Sequence, residues 1–177
     1  MNPLNVRNQD LLRYDEEDPP EGDAEYARRL RALLPDFPAQ VLADWILNHG
    51  RNAFREHGWL DYRQLRFALR DEPTAFFDTV ATSNDSAVGS WSHQFRTDPQ
   101  FQQYDLGEFM AANGTWPVPP IVLDNTSGLT TPRGEILGRH HLLEGHHRLA
   151  FLRGLQTPPA LAIQPVHSLW LATIEHQ

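Results

Sequence analysis

The residues best suited to chemistry run together from Leu142 to Ala150, reading Leu-Leu-Glu-Gly-His-His-Arg-Leu-Ala. A strand that ends at Gly145 and passes straight into a helix would set the helix's unpaired N–H groups, with their partial positive charge, at the strand's C-terminal edge. Such an edge attracts anions, and Gly145 permits positive φ and the close approach of a ligand. Arg148, in the first helical turn, could reach back with a forked guanidinium that matches two phosphate oxygens. His146 and His147 add donors, and either could move a proton near neutral pH. Glu144 shares a strand face with His140 and Leu142 by alternation. It is either a site carboxylate, holding Mg²⁺ or acting as a base, or a strand-end acid stabilised by the helix dipole. Asp124 ends the preceding apolar run, where it is either a ligand residue at a strand's carboxyl end or the start of a turn.

The flanking pattern supplies the elements these residues need. Pro119-Pro120 leads into Ile121, Val122 and Leu123, a short buried-strand signal that stops at Asp124. Residues 125–134 read as turns. A second strand is expected from about 135 to 144, then a helix with Leu149, Leu152 and Leu155 at core spacing, then a third strand over 160–166. Residues 168–174 are apolar without a decisive period.

From residue 23 to about 114 the apolar spacing is helical. Ala27, Leu30, Leu33 and Leu34 form one stripe, while Val41, Leu42, Trp45, Ile46 and His49 form another, opened by Pro38 and closed by Gly50. Asp61 predicts the cap of a third helix bearing Tyr62, Leu65 and Leu69, and Phe76, Phe77 and Val80 suggest a fourth. Residues 82–91 (TSNDSAVGSW) read as a loop. Asp105 with Glu108 has the pattern of a capping box for a helix through Met110 that ends at Asn113-Gly114. Residues 1–25 carry eight acids against Arg7 and Arg13, a composition that does not repay its ordering entropy. The expected organisation is an acidic flexible tail over 1–22, a helical region over 23–104 and an α/β unit over 105–177.

Composition removes several chemistries. The 177 residues include no Cys, so disulfides, thiolate metal sites and cysteine nucleophiles are absent. All 15 basic residues are Arg, which excludes lysine Schiff bases and a Walker-type phosphate loop with its Lys. A net charge of −8 argues against broad attraction to nucleic acid or to an anionic membrane. No apolar run approaches the roughly 20 residues of a membrane helix, and the expectation is a cytoplasmic protein. Five Arg between positions 51 and 70 make that segment locally positive. Arg63, Arg66 and Arg70 would share one face of the expected helix, solvated, paired with the acidic tail, or open to a partner. His140, His141, His146 and His147 invite a metal reading, but adjacent strand positions face opposite ways and no His-Glu-x-x-His pattern is present, so no resident metal site is expected.

The run Pro119 to Asp124 followed by the Gly145–Arg148 tetrapeptide resembles the ParB/sulfiredoxin-like superfamily over about residues 105–166. In sulfiredoxins the corresponding tetrapeptide is Gly-Cys-His-Arg. Here His146 stands in place of the reducing Cys, so the resemblance does not extend to sulfiredoxin chemistry. Chromosome-partitioning ParB proteins carry an Arg-rich box that handles CTP phosphates, of which His147-Arg148 keeps one Arg position. Free-serine kinases of the superfamily bring an adenine nucleotide to a hydroxyl with the help of a carboxylate, and some ParB-like proteins are described as nucleases.

The expected fold is α+β: the resemblance implies a small α/β unit with a mixed sheet, and the helical N-terminal half read from the apolar spacing, which matches no part of the family core, is expected to pack on it. It implies a nucleotide held by Gly145, His147, Arg148 and Asp124, with Glu144 and His146 as the catalytic candidates and Mg²⁺ entering with ATP, ADP or CTP. A phosphotransferase or nucleotide hydrolase is the leading expectation, since fold alone does not fix the reaction. The alternatives are a non-catalytic regulatory module whose helical region engages a protein, and a nuclease or DNA-binding factor, which the charge disfavours.

Overall fold

The computed structural model describes residues 4–13, 21–157 and 162–175. The chain divides into two compact units. The first comprises Met1–Phe67, Ser127–Ile136 and Ala172–Gln177, and the second comprises Ala68–Thr126 and Leu137–Leu171. The fold is α+β, with helices and a five-stranded mixed sheet. No helix among the described residues is long and apolar enough to cross a membrane.

The first unit opens with a 3-10 turn, Val6–Leu11, and continues with α1 (Asp23–Leu33), α2 (Ala39–Val41), a π-helical turn (Leu42–Leu47) and α3 (Asn48–His57). Of the two predicted apolar stripes, Leu30, Leu34, Val41, Leu42, Trp45 and Ile46 are in the core, Ala27 and Leu33 are half-buried, and His49 is exposed. Gly50, however, does not end a helix. The chain kinks at His49 (φ −129°, ψ 18°) and runs on to His57, burying Ala53 and Phe54. Of the segment expected to be a flexible tail, residues 4–13 are packed: Leu11 and Asn8 are wholly buried, and Asn8 Nδ2 donates to Gly58 O (2.8 Å) and Leu60 O (2.6 Å). Residues 14–20 of it lie outside the described residues. At its end, Glu21 is buried against Arg29, whose Nε and Nη2 donate to the two carboxylate oxygens at 2.7 and 2.6 Å.

The third predicted helix is instead a single 3-10 turn, Tyr62–Gln64, followed by β1 (Leu65–Pro73). Asp61 does cap, accepting from Arg63 N, but only for that turn. β1 lies at one edge of the sheet, and its row of Arg66, Arg70, Asp71 and Glu72 is what an exposed sheet edge tolerates. The basic run therefore forms no helical stripe. Arg63 pairs with Asp10 (2.6 Å) and Arg66 with Glu175 (2.6 Å), the pairing with acidic segments that charge alone suggested for Arg63.

In the second unit β1 gives way to a 3-10 turn, Thr74–Asp78, in place of the fourth predicted helix. There follow β2 (Val80–Ala81), α4 (Asp85–Thr97), α5 (Pro99–Gln102), α6 (Asp105–Asn113), β3 (Ile121–Asp124), β4 (His140–Glu144), α7 (His146–Gln156) and β5 (Val166–Ile174). The sheet order is β1-β5-β3-β4-β2, with β2 parallel and β3 antiparallel to β4. Three expectations are corrected. Of the expected loop over 82–91 only residues 82–84 are non-helical, and 85–91 belong to α4: Asn84 accepts from Ala87 N, and Val88 and Phe95 bury one face of the helix. The second strand is shorter than 135–144, with Thr130 and Ile136 forming only an isolated bridge before β4. The last strand begins at Val166, so the expected strand over 160–166 is absent from 162–165, while 158–161 lie outside the described residues. α6 forms as predicted and ends at Gly114 in the left-handed conformation, but Tyr104 is its N-cap and Asp105 lies inside the helix, so there is no capping box.

The core of this unit gathers Phe77, Val88, Phe95, Met110, Val122, Leu142, Leu149, Phe151 and Leu155. α4 and α7 approach closely at Gly154, where a Cβ would stand 2.9 Å from the Phe95 ring. The Phe95 and Phe151 rings stack at 4.5 Å. Arg153 Nη2 donates to Val80 O at 2.8 Å and ties α7 to the edge strand β2.

Candidate functional site

The strand-to-helix junction has the form the sequence predicts. β4 ends at Glu144, one residue intervenes, and α7 starts at His146. That residue, Gly145, has φ 103° and ψ 31°, a conformation L residues avoid. Space forbids a side chain as well: a Cβ there would stand 2.7 Å from Pro120 Cβ and 3.2 Å from Arg148 Nη1. The second distance shows that Arg148 does fold its guanidinium back over Gly145, toward the end of α7 where the backbone N–H groups lack helical acceptors. Glu144 and His146 are half-buried on either side, and His147 is exposed. The junction therefore concentrates a helix N-terminus, a guanidinium and two imidazoles, a donor set for an oxyanion.

His147 also forms one wall of a cavity of about 330 Å³, otherwise lined by Phe101, Tyr104, Leu106 and Phe151. Trp91 of α4 packs on the His147 ring at 4.3 Å, and Tyr104 is 62 % exposed at the cavity's rim. An apolar, aromatic recess of this size suits a planar heteroaromatic ring.

A second group of polar side chains lies beside β4, around His141 near the strand's start. Because β2 and β4 run parallel, with Ala81 opposite His141, the segment that follows β2 passes the side chain of His141. Ser83 Oγ lies 3.0 Å from His141 Nε2, and Thr82 Oγ1 donates to Asp85 at 3.0 Å. His141 is only 4 % exposed. Burial, aided by the nearby His146 and opposed by Asp85, lowers its pKa to about 4, so the ring is neutral at pH 7. His140, on the opposite face as alternation requires, packs against Phe76 with the rings tilted and their centroids 4.6 Å apart.

Asp124 does not join this site. β3 is antiparallel to β4, which places Asp124 opposite His140 at the start of β4, while Gly145 follows its end. At about 3.3 Å per residue the two ends of the strand are over 12 Å apart. Asp124 instead accepts from Thr126 Oγ1 and starts a turn. The expectation that a strand end marks a ligand holds for parallel strands, and β3 is not one.

Of the expected residues, the structure thus brings together Glu144, Gly145, His146, His147 and Arg148. Sequence reasoning missed Ser83, His141, Trp91 and the cavity wall. The signal for Ser83 was the N-cap pattern of Ser83-Asn84-Asp85 before Val88, Trp91 and Phe95 at helical spacing, and it was submerged by the Ser and Gly content of the segment. Comparison with protein-family models, with curated proteins and with solved structures finds no match to this chain.

Proposed function

We propose that the second unit binds a nucleotide, with its phosphates at Gly145, His146, His147 and Arg148 and its base in the aromatic recess beside His147. The observation that carries this reading is the junction at Gly145: a left-handed residue with no room for a Cβ, opening a helix over which Arg148 folds back, next to a cavity walled by Phe101, Tyr104 and Phe151. The resemblance of the tetrapeptide to ParB/sulfiredoxin-like proteins supports it. So does the chemistry of the donors, since phosphate in a chain without Lys must be met by Arg, His and backbone N–H. The residues fit Mg²⁺ arriving with the nucleotide, because that cation typically takes one or two carboxylates and fills its remaining positions with phosphate oxygens and water. Glu144 is the carboxylate at the junction. Asp124 takes no part. The reading is that of a cytoplasmic nucleotide-dependent phosphotransferase or hydrolase.

The test is thermal unfolding with ATP, ADP, CTP and GTP, each with and without Mg²⁺. A nucleotide at 100 times its dissociation constant stabilises by about 2.7 kcal/mol, several degrees in a chain of this size. The shift should vanish in Arg148→Ala and shrink in Tyr104→Ala. A shift that persists unchanged in Arg148→Ala, or none with any nucleotide, refutes the assignment.

A further inference from the structure

We infer that Ser83 is a nucleophile toward phosphoryl groups and that His141 accepts its proton. Three observations meet at this pair. Ser83 Oγ is 3.0 Å from His141 Nε2, the separation expected between a hydroxyl nucleophile and its base. Ser83 is exposed while His141 is buried, so the hydroxyl faces incoming groups and the imidazole behind it is screened from water. The pair also lies at the start of α4, which begins two residues after Ser83, and His146, the first residue of α7, is close enough to act on His141 electrostatically. Helix N-termini favour the charge that builds on equatorial oxygens during phosphoryl transfer.

The identity of the electrophile rests on the nucleotide reading proposed above. Its terminal phosphoryl group would be the one attacked. The Pγ–Oγ bond to Ser83 forms as the bond from Pγ to the β–γ bridging oxygen breaks. The electron pair leaves with the nucleoside diphosphate, and the hydroxyl proton passes to His141 Nε2. A neutral imidazole of low basicity serves here because phosphoryl transfer proceeds through a loose transition state, in which positioning of the nucleophile matters more than its early deprotonation. The groups that face His141 are His146 from α7 and Asp85 from α4, and they act in opposite directions on its proton affinity.

The experiment uses a fluorophosphonate probe on the full chain, in which the P–F bond breaks, a P–Oγ bond forms and fluoride leaves. Intact mass and peptide mapping should place one adduct on Ser83, absent in Ser83→Ala. His141→Gln should slow labelling by about 100-fold, the lower end of general-base effects. The wild-type rate should hold steady from pH 8 to pH 5 and fall only as pH approaches 4. Incubation with ATP or CTP and Mg²⁺ should then leave phosphate on Ser83, or release it at a rate lost in Ser83→Ala. No adduct on Ser83, or labelling indifferent to His141→Gln in a variant that melts like wild type, overturns the proposal. His141-dependent labelling in a protein whose melting responds to no nucleotide keeps Ser83 as the nucleophile and rejects the nucleotide reading alone.

Discussion

His141 should make the second unit acid-sensitive in a window set by its burial. In the unfolded chain its imidazole titrates near 6.5, whereas in the fold it titrates at about 4. Below pH 6.5 the unfolded state therefore binds a proton that the native state refuses. Stability contributed by neutral His141 is complete above pH 6.5 and is lost progressively as pH falls toward 4. Between pH 7 and pH 5 the loss amounts to about 2 kcal/mol. With a urea dependence of about 2 kcal/mol per molar, the midpoint should fall by about 1 M. His167, whose pKa burial also lowers, adds a loss of the same sign, so the contribution of His141 must be isolated. His141→Gln does so by replacing the ring with a neutral amide that does not titrate. Urea unfolding of wild type and variant at pH 7 and pH 5, followed by fluorescence of Trp91 and Trp116, should show the variant losing about 2 kcal/mol less than wild type. The imidazole Cε1–H resonance of His141 gives the folded value directly. A midpoint near 6.5, or equal acid sensitivity in both proteins, would refute the argument from burial.

Two further substitutions probe other parts of the structure. Gly145→Ala must adopt φ 103° and displace Pro120, so it should cost about 2–4 kcal/mol from backbone strain and overpacking together, measured as a lowered melting temperature, and should abolish any nucleotide-induced shift. Asn8→Ala leaves the buried carbonyls of Gly58 and Leu60 without their side-chain donor and should cost about 2 kcal/mol in urea unfolding. An unchanged midpoint would mean that residues 4–13 do not contribute to the first unit's stability.

Much of the site was legible because its determinants are local. Pro119-Pro120 before Ile121-Val122-Leu123 marks β3, and Gly145 before Leu149, Leu152 and Leu155 marks the start of α7. Where local signals conflicted, the reading failed. Leu65, Phe67 and Leu69 alternate as a strand requires, yet the spacing of Tyr62, Leu65 and Leu69 also fits a helix, and only a place at the sheet's edge decides between them. The Ser and Gly residues of 82–91 weaken helix propensity, which tertiary packing of Val88 and Phe95 overrides.

By itself the sequence determined the chemistry that is possible and the conformation at each turn where one residue suffices. No Lys and no Cys removes lysine and thiolate chemistry, and Gly145 permits a left-handed residue at the head of a helix. Tertiary structure alone decided which residues meet. Antiparallel pairing of β3 with β4 takes Asp124 away from the junction, and parallel pairing of β2 with β4 brings Ser83 to His141 across 58 residues. Strand direction and neighbour choice depend on packing and loop closure over the whole chain, and local propensity carries no record of either.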